Sequence, residues 1–442
     1  MVKSHPQYFV SAGRTFSGAL CLFTLVFFWA SSLCAQQPPT SAKPAPFAVG
    51  VAVPLSGEYA SLGKAVLASA QVAVQEGGGR VVVRDTLGTP AGAIAAINAL
   101  ASDPAVLAVL GPVGRRESLA AARAAHRAGL PLFSLAGDPT INPGSGWVFR
   151  LNQSPSEQAS GLARAVRQEF GEAKRVAILF PESLYGREAA LGFGAQFAAL
   201  GGQVTALASY PEDTTNFRKP LDELVGKRLK VGKQARVDKR RADRDGYVSI
   251  RRKGVVDFDL LFIPDSHANI SRVLAFLPGV GLQNGDGGEG EAVQLLGLSA
   301  WQGSSMRLSG ALAAGAIYTD IFAVEADGGK AQEFELLFEE KTGRRPVNLD
   351  AVVFDATWML AKILQEIHGD SSNQRLDSKD GKPDAQALRG RLLHFIPRAG
   401  LPGARDTFFG VTGELSFGPQ GAPIRPTRLY QFDIGGSVAP WR

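Results

Sequence analysis

Residues 49–71 read VGVAVPLSGEYASLGKAVLASAQ, and the change of period inside this stretch decides the fold. The apolar run Val49 to Val53 has the composition of a buried strand; it stops at Pro54 and turns through Ser56 and Gly57. Leu62, Ala65, Val66, Ala70, Ala73 and Val74 then recur at the three-and-four spacing of one buried helix face. A strand passing through a small-residue turn into a helix places hydroxyls and backbone N–H groups at the carboxyl end of a sheet, where open α/β sheets hold their ligands.

The same unit recurs. Up to about Leu135 apolar strands (VVV at 81, VLAVL at 106, LPLFSLA at 130) alternate with helical patterns at 91–100 and 118–128. A second set follows Pro155: a helix over 157–170, RVAILF, a helix over 187–200, QVTALAS, a helix over 217–225, DLLFIP and QLLGLS. The chain has 442 residues, more than one ordinary domain, and two α/β sets in series predict two doubly wound lobes with a cleft between them. Beyond them, 331–341 and 350–367 read as helices, 369–384 as a polar loop, and the last forty residues as short strands around Gly413 and Gly418.

The first 35 residues stand apart. Lys3 and Arg14 precede the uncharged ALCLFTLVFFWA (19–30), too short to span a bilayer as a stable helix, so 1–35 is expected to be a cleaved secretory signal, with a lipoprotein anchor at Cys34 disfavoured by Leu33 before it. Both cysteines lie in this leader, which leaves the remainder free of thiol chemistry, and the Pro-rich 36–46 reads as a tether. The net charge of +6 comes from one place: 227–253 holds twelve Lys or Arg against three Asp. Without that arm and the leader, 33 basic residues face 38 acidic ones, which argues against nucleic acid as a partner and leaves contact of the arm with an anionic surface as an expectation.

Several motifs tempt and fail on context. GDGGEG (285–290) matches a dinucleotide fingerprint by letter, but Asp286 and Glu289 would repel phosphates. Ser61-x-x-Lys64, Lys341-Thr-Gly343 and Ser371-x-Asn373 mimic penicillin-recognising enzymes, yet they stand in the wrong order, and Lys341 reads as a cation closing a helix with Gly343 as its cap. The histidines are scattered and no G-x-S-x-G elbow is present, so neither a metal, a cofactor nor enzymatic chemistry is expected. What remains is six loops after apolar strands, PLSG (54), GPVGRRES (111), SLAGDPT (134), PESLYG (181), PDSHAN (264) and GLSAW (297), all rich in small and hydroxyl residues.

FAVGVAVPLSG (47–57), Asp85 after VVV, VLAVLGP, AGLPLFSLA, VFRLNQSPSEQ, RVAILFPESLYGRE, DFDLLFIPD and QLLGLSAW, taken as a series, resemble the type I periplasmic solute-binding proteins, the superfamily of leucine/isoleucine/valine-binding proteins. The resemblance implies an α/β fold of two doubly wound lobes joined by a hinge, with lobe one over 46–154 and 320–405, and lobe two over 155–319 and 406–442. It implies no enzyme but an extracytoplasmic protein that binds a small polar solute in the interlobe cleft, as a receptor for a membrane permease. FIPDS, the basic arm before it, LLGLSAW and the FFGVTGELSF tail look closest to bacterial penicillin-binding-protein activators of the same fold, so the alternative is an envelope docking protein for a peptidoglycan synthase.

Carried over position by position, the resemblance makes Ser56, Arg115, Ala136, Gly137, Asp138, Tyr185, Asp265 and Ser299 the expected ligand-binding residues. Ala136 and Gly137 fall where backbone contacts to a ligand carboxylate are expected, and Tyr185 where an aromatic wall is. Asp138 replaces a threonine and Ser299 an ammonium-binding acid, so leucine, isoleucine and valine are not expected to bind.

Overall fold

The computed structural model describes residues 47–141, 146–171, 174–225, 256–285, 290–369, 384–400, 405 and 407–441. The leader, the tether, the basic arm 227–253, residues 286–289 of the GDGGEG stretch and 370–383 of the polar loop lie outside the described residues. Among the described residues no helix is long and apolar enough to cross a membrane.

The first half runs β1 (Ala48–Val53), α1 (Ala60–Gly77), β2 (Arg80–Asp85), α2 (Pro90–Ala101), β3 (Val106–Leu110), α3 (Arg115–Ala128), β4 (Leu132–Ser134) and β5 (Val148–Arg150). Its strands pair in parallel in the order β2-β1-β3-β4-β5. The opening stretch shows how the sequence sets the two faces. Val49, Val51 and Val53 join the core shared with α1, whereas Ala48 and Ala52 face the core shared with α2 and α3. A Cβ on Gly50, between those alanines, would lie 2.9 Å from a Val109 methyl, so the small face lets its helices pack close.

The second half runs α4 (Pro155–Glu169), β6 (Arg175–Pro181), α5 (Leu184–Ala199), β7 (Gln203–Tyr210), α6 (Arg218–Leu224), β8 (Leu260–Phe262), α7 (His267–Phe276), β9 (Leu282–Asn284), β10 (Glu291–Gly297), α8 (Ser304–Leu308) and β11 (Ile317–Asp320). Strands β7, β6, β8, β10 and β11 form the second sheet, with β9 beside β10. The helices begin where hydroxyl caps permit: Ser154 and Glu157 form a reciprocal capping box on α4, and Ser183 accepts from the Gly186 N–H at the start of α5. Those caps explain why α4 and α5 start two and three residues before the periodicity suggests.

The tail contributes α9 (Val324–Asp327), α10 (Gly329–Thr342), α11 (Asn348–Gly369), α12 (Ala385–Phe395), β12 (Phe408–Gly410), β13 (Gly413–Phe417), β14 (Pro423–Ile424), β15 (Arg428–Phe432) and β16 (Val438–Pro440). Helices α11 and α12 bury their apolar faces on the first sheet, while β15 and β16 add antiparallel strands to the second beyond β11. One boundary differs from expectation. Strands β12 and β13 were expected in lobe two, within 406–442, but Phe408, Leu415 and Phe417 pack into the first sheet's core, Phe417 edge-on to Phe133 and Phe149. The chain returns to the second sheet only at Arg425, because this small antiparallel ribbon carries apolar side chains that fit the first core. The K-T-G stretch ends α10 as expected, with Gly343 left-handed and its N–H donating to the Glu339 carbonyl.

Helices α4 and α5 cross at Gly192, where a Cβ would come within 2.6 Å of the Ser156 carbonyl oxygen and 2.7 Å of its Cα. Backbone cannot yield as a side-chain tip does. Gly192→Ala is therefore expected to force the helices apart and cost about 1–3 kcal/mol, readable as a fall in Cm with unchanged m in urea unfolding.

Candidate interlobe site

Three segments join the halves: 151–154 after β5, 321–323 after β11 and 425–427 after β14. Leu151, Asn152, Gln153, Asp320, Ile321 and Arg425, at or beside these crossovers, line a cavity of about 90 Å³, completed by Gln158 of α4, Ser299 after β10, Thr319 of β11 and Asn348 at the start of α11.

Local chemistry fixes each wall. Asp350 sets the first turn of α11: it accepts from the Val347 N–H (2.9 Å), from Ser69 of α1 (2.7 Å) and from both terminal nitrogens of Arg344 (2.7 Å each), and so fixes Asn348. Asn348 Nδ2 then donates to Asp320 Oδ1 at 2.6 Å, and the Ile321 N–H donates to the same oxygen at 2.7 Å. On the third crossover, Arg425 Nη1 donates to Thr412 Oγ1 (2.6 Å), whose hydroxyl donates to Asp355 (2.5 Å). Arg428 ties the second crossover to the third, donating to the Ile321 and Thr412 carbonyls while pairing with Asp327. Gly297 permits the sharp turn to Ser299: a Cβ there would meet the Trp301 ring at 2.1 Å, and Trp301 Nε1 is anchored on the Ile263 carbonyl at 2.9 Å.

Three of the lining residues carry fully buried polar atoms without a hydrogen-bond partner in the protein: Asp320 Oδ2, Asn348 Oδ1, and Nε and Nη2 of Arg425. Asp320 is 3% exposed and Arg425 8%. Burial pushes the Asp320 carboxyl up to about 7, against its hydrogen bonds and the field of Arg428. Burial also pulls Arg425 down to about 10, although nearby Asp355 favours its charge, so the guanidinium remains cationic at neutral pH. Orphaned buried groups of this kind cost about 1–3 kcal/mol each when nothing pairs them. Among the described residues no group of His, Cys, Asp or Glu is placed to hold a metal ion.

The residues expected from the sequence are distributed unevenly around this cavity. Ser299 lines it, its hydroxyl donating to Gln158 Oε1 at 3.2 Å. Tyr185 has a buried hydroxyl without a partner, and burial together with the charges of Asp265 and Asp320 raises its pKa. Asp265 is occupied: its carboxylate takes bonds from Tyr210 (2.6 Å), Asn269 (3.0 Å) and the Ser266 N–H (2.6 Å). Arg115 and Asp138 pair with each other, and Asp138 also accepts from Thr140. Ser56 is exposed and donates to Asp85 at 2.8 Å, so the turn of the opening stretch is tied to the end of β2. The Ala136 N–H donates to Ser134 Oγ at 3.2 Å, and the Gly137 carbonyl accepts from Arg150 at 2.7 Å.

Arg115 pairs with Asp138, so the charge of that loop is balanced within the protein, and Asp320 lines the same cavity as Ser299. Asp320, Asn348 and Arg425 are the residues sequence reasoning missed; the one available signal was an aspartate ending the apolar strand AIYTD at the expected crossover near 320.

Residues 46–232 match the family model described as periplasmic binding protein. Among solved structures the chain is similar to an ABC transporter substrate-binding protein from Sphaerobacter thermophilus, at 18% identity and TM-score 0.65 over 89% of this chain and 96% of that one. It is similar to an ABC transporter substrate-binding protein from Desulfitobacterium hafniense in complex with Leu, at 22% identity and TM-score 0.59 over 89% and 99%. A solute-binding protein of an ABC transporter from Rhodopseudomonas palustris BisB5, in complex with 3,4-dihydroxybenzoic acid, aligns at 17% identity and TM-score 0.59 over 89% and 96%. No curated protein matches the chain by sequence.

Proposed function

On the type I periplasmic-binding-protein fold of this chain, we propose that the protein binds a small polar solute between its lobes as an extracytoplasmic receptor of the transport type, exported by its leader and acting with a membrane permease. The observation that carries this reading is the cavity at the crossovers, whose buried Asp320, Asn348 and Arg425 hold hydrogen-bonding capacity that no group of the protein uses. A protein that only scaffolds a partner has no need to keep such groups unpaired by its own side chains; a solute receptor gains affinity by pairing them on binding. Solved relatives of this fold that hold leucine or a dihydroxybenzoic acid agree with a carboxylate-bearing solute. Ser299, Gln158 and Tyr185 would meet the rest of the ligand from lobe two, and the 136–138 loop, held by Arg150, from lobe one.

The test is a thermal-shift panel of the purified protein against amino acids, including leucine, isoleucine and valine, and against hydroxy acids and aromatic acids. A true ligand at about a hundred times its dissociation constant stabilises by about 2.7 kcal/mol. At least one saturable, concentration-dependent rise in Tm is expected. A flat response across the panel, together with no small molecule released on denaturing the natively purified protein, would count against a receptor role.

A further inference from the structure

We propose that the protein pairs with a second copy of itself along β7, the outer strand of the second sheet, with the two β7 strands antiparallel about a two-fold axis at Leu207, so that two sheets become one. The partner is this same chain, and the contact needs no solute.

The outer edges of the two large sheets are not alike. Strand β2 ends the first sheet and carries Arg80, Arg84 and Asp85. Strand β5, at the other end of that sheet, has three residues, and its Arg150 N–H is taken by the Gly421 carbonyl. Strand β16 ends the second sheet in three residues closed by Pro440. Charge, shortness, cover and proline are the means by which natural edges are kept from pairing with another chain. Strand β7 differs on each count: it runs for eight residues, QVTALASY, without a charge or a proline, and among the described residues it pairs with β6 alone. Such an edge is a template for one more strand.

The ladder shows which groups of β7 face outward. The Gln203 N–H donates to the Lys174 carbonyl and the Tyr210 carbonyl accepts from the Glu182 N–H, so both residues turn toward β6. With the register shift opposite Val176 and Ala177, the alternation puts the N–H and C=O of Leu207 and Ser209 on the outer side. Leu207 stands opposite Ile178, whose side chain packs under α5, so its own side chain lies on that face, yet it is 62% exposed. Leu191 of α5, 73% exposed, precedes Gly194 by one turn, and a Cβ on Gly194 would lie 3.5 Å from Ile178 and 3.7 Å from Val204. Both leucines therefore stand on the same flank. A two-fold axis at Leu207 makes that residue exchange two N–H···O bonds with its own copy, sets the two Leu207 side chains against each other and brings both α5 helices to one face of the seam. The same axis places Glu212 and Asp213, exposed just past the C-terminal end of one β7, beside the N-terminal end of the other, where Lys174 is exposed. Opposite charges then meet at both ends of the seam, which favours a second copy over an unrelated strand.

The test is sedimentation equilibrium of the leader-free chain at about 100 μM, a concentration that populates dimers with dissociation constants in the micromolar range. The mass should be that of a dimer and fall toward the monomer on dilution. Leu207→Lys sets two ammonium groups against each other at the axis and should weaken association at least tenfold, while its melting temperature stays within about 2 °C of wild type because the position is exposed. Leu207→Glu should weaken association in the same way, and an equimolar mixture of the two variants should recover the dimer, since residue 207 meets itself only in the two-fold pairing. A wild-type chain that remains monomeric at this concentration would overturn the proposal. So would a dimer that survives both substitutions, which would lie on another surface, or one that both substitutions abolish and the mixture does not restore.

Discussion

Asp320→Asn should make the ligand-free protein more stable, and the gain should depend on pH. In the folded chain burial keeps the Asp320 carboxyl protonated up to about pH 7, whereas the same group in the unfolded chain ionises near 3.8. The folded state is thus the tighter proton binder. The stability attached to that proton is full below the unfolded value, declines as pH rises above it, and is lost once pH passes the folded value. A displacement of about three units corresponds to about 4 kcal/mol. The difference between variant and wild type should grow from little near pH 4 to as much as about 4 kcal/mol at pH 8, measured by urea unfolding. A variant that is less stable than wild type at pH 8, or a difference that does not change with pH, would mean that Asp320 is paired in solution. A buried carboxylate that weakens the resting fold fits a position retained for what it binds.

The second large effect concerns Arg150 and Glu157, which lock the first crossover. Arg150, 3% exposed, donates to both oxygens of Glu157 at 2.8 and 2.9 Å and to the Gly137 carbonyl; Glu157 also accepts from the Ser154 N–H at 2.7 Å as part of the α4 cap. Glu157→Ala strands a buried guanidinium and opens the capping box. The expected loss is about 3 kcal/mol, at the low end for a broken buried pair because Glu157 keeps some contact with water. Burial alone would raise the Glu157 pKa, but the bonds from Arg150 and Ser154 outweigh it and hold the carboxyl below its ordinary value of 4.5. Its contribution is therefore present above 4.5 and lost as pH falls through the lower folded value, so the wild-type advantage over Glu157→Ala should shrink in acid. Because Arg150 also holds the Gly137 carbonyl, solute affinity should fall with stability. Unchanged stability at pH 7 would show that water replaces the pair at no cost.

The fold was legible because its signals are local. The change from a buried run to a helical period at Val49–Gln71 identifies one βα unit, and its repetition identifies two sheets. The last boundary was not legible, since the residues that assign β12 and β13 to the first core, Phe408, Leu415 and Phe417, look the same in sequence whichever sheet they cover. The site divides in the same way. Ser299 follows an apolar strand and announces itself, and it lines the cavity. Arg115 and Asp138 also stand in strand-end loops, but charge alone does not tell a ligand contact from a pair that satisfies itself. Asp320, Asn348 and Arg425 come from three distant segments, and only tertiary structure makes them neighbours and strips them of water.

A small solute that binds between the lobes is expected to draw them together. Both cysteines of the chain lie within its first 35 residues, so a leader-free protein can be spin-labelled at introduced cysteines without background. Arg116→Cys at the start of α3 and Leu184→Cys at the start of α5 place exposed labels on the two lobes, at the carboxyl ends of their sheets. Electron–electron distance measurements on this pair, without solute and with a saturating concentration of the acid that raises Tm, should show the distribution move to shorter distance and narrow. An identical distribution at saturation would contradict interlobe binding coupled to closure.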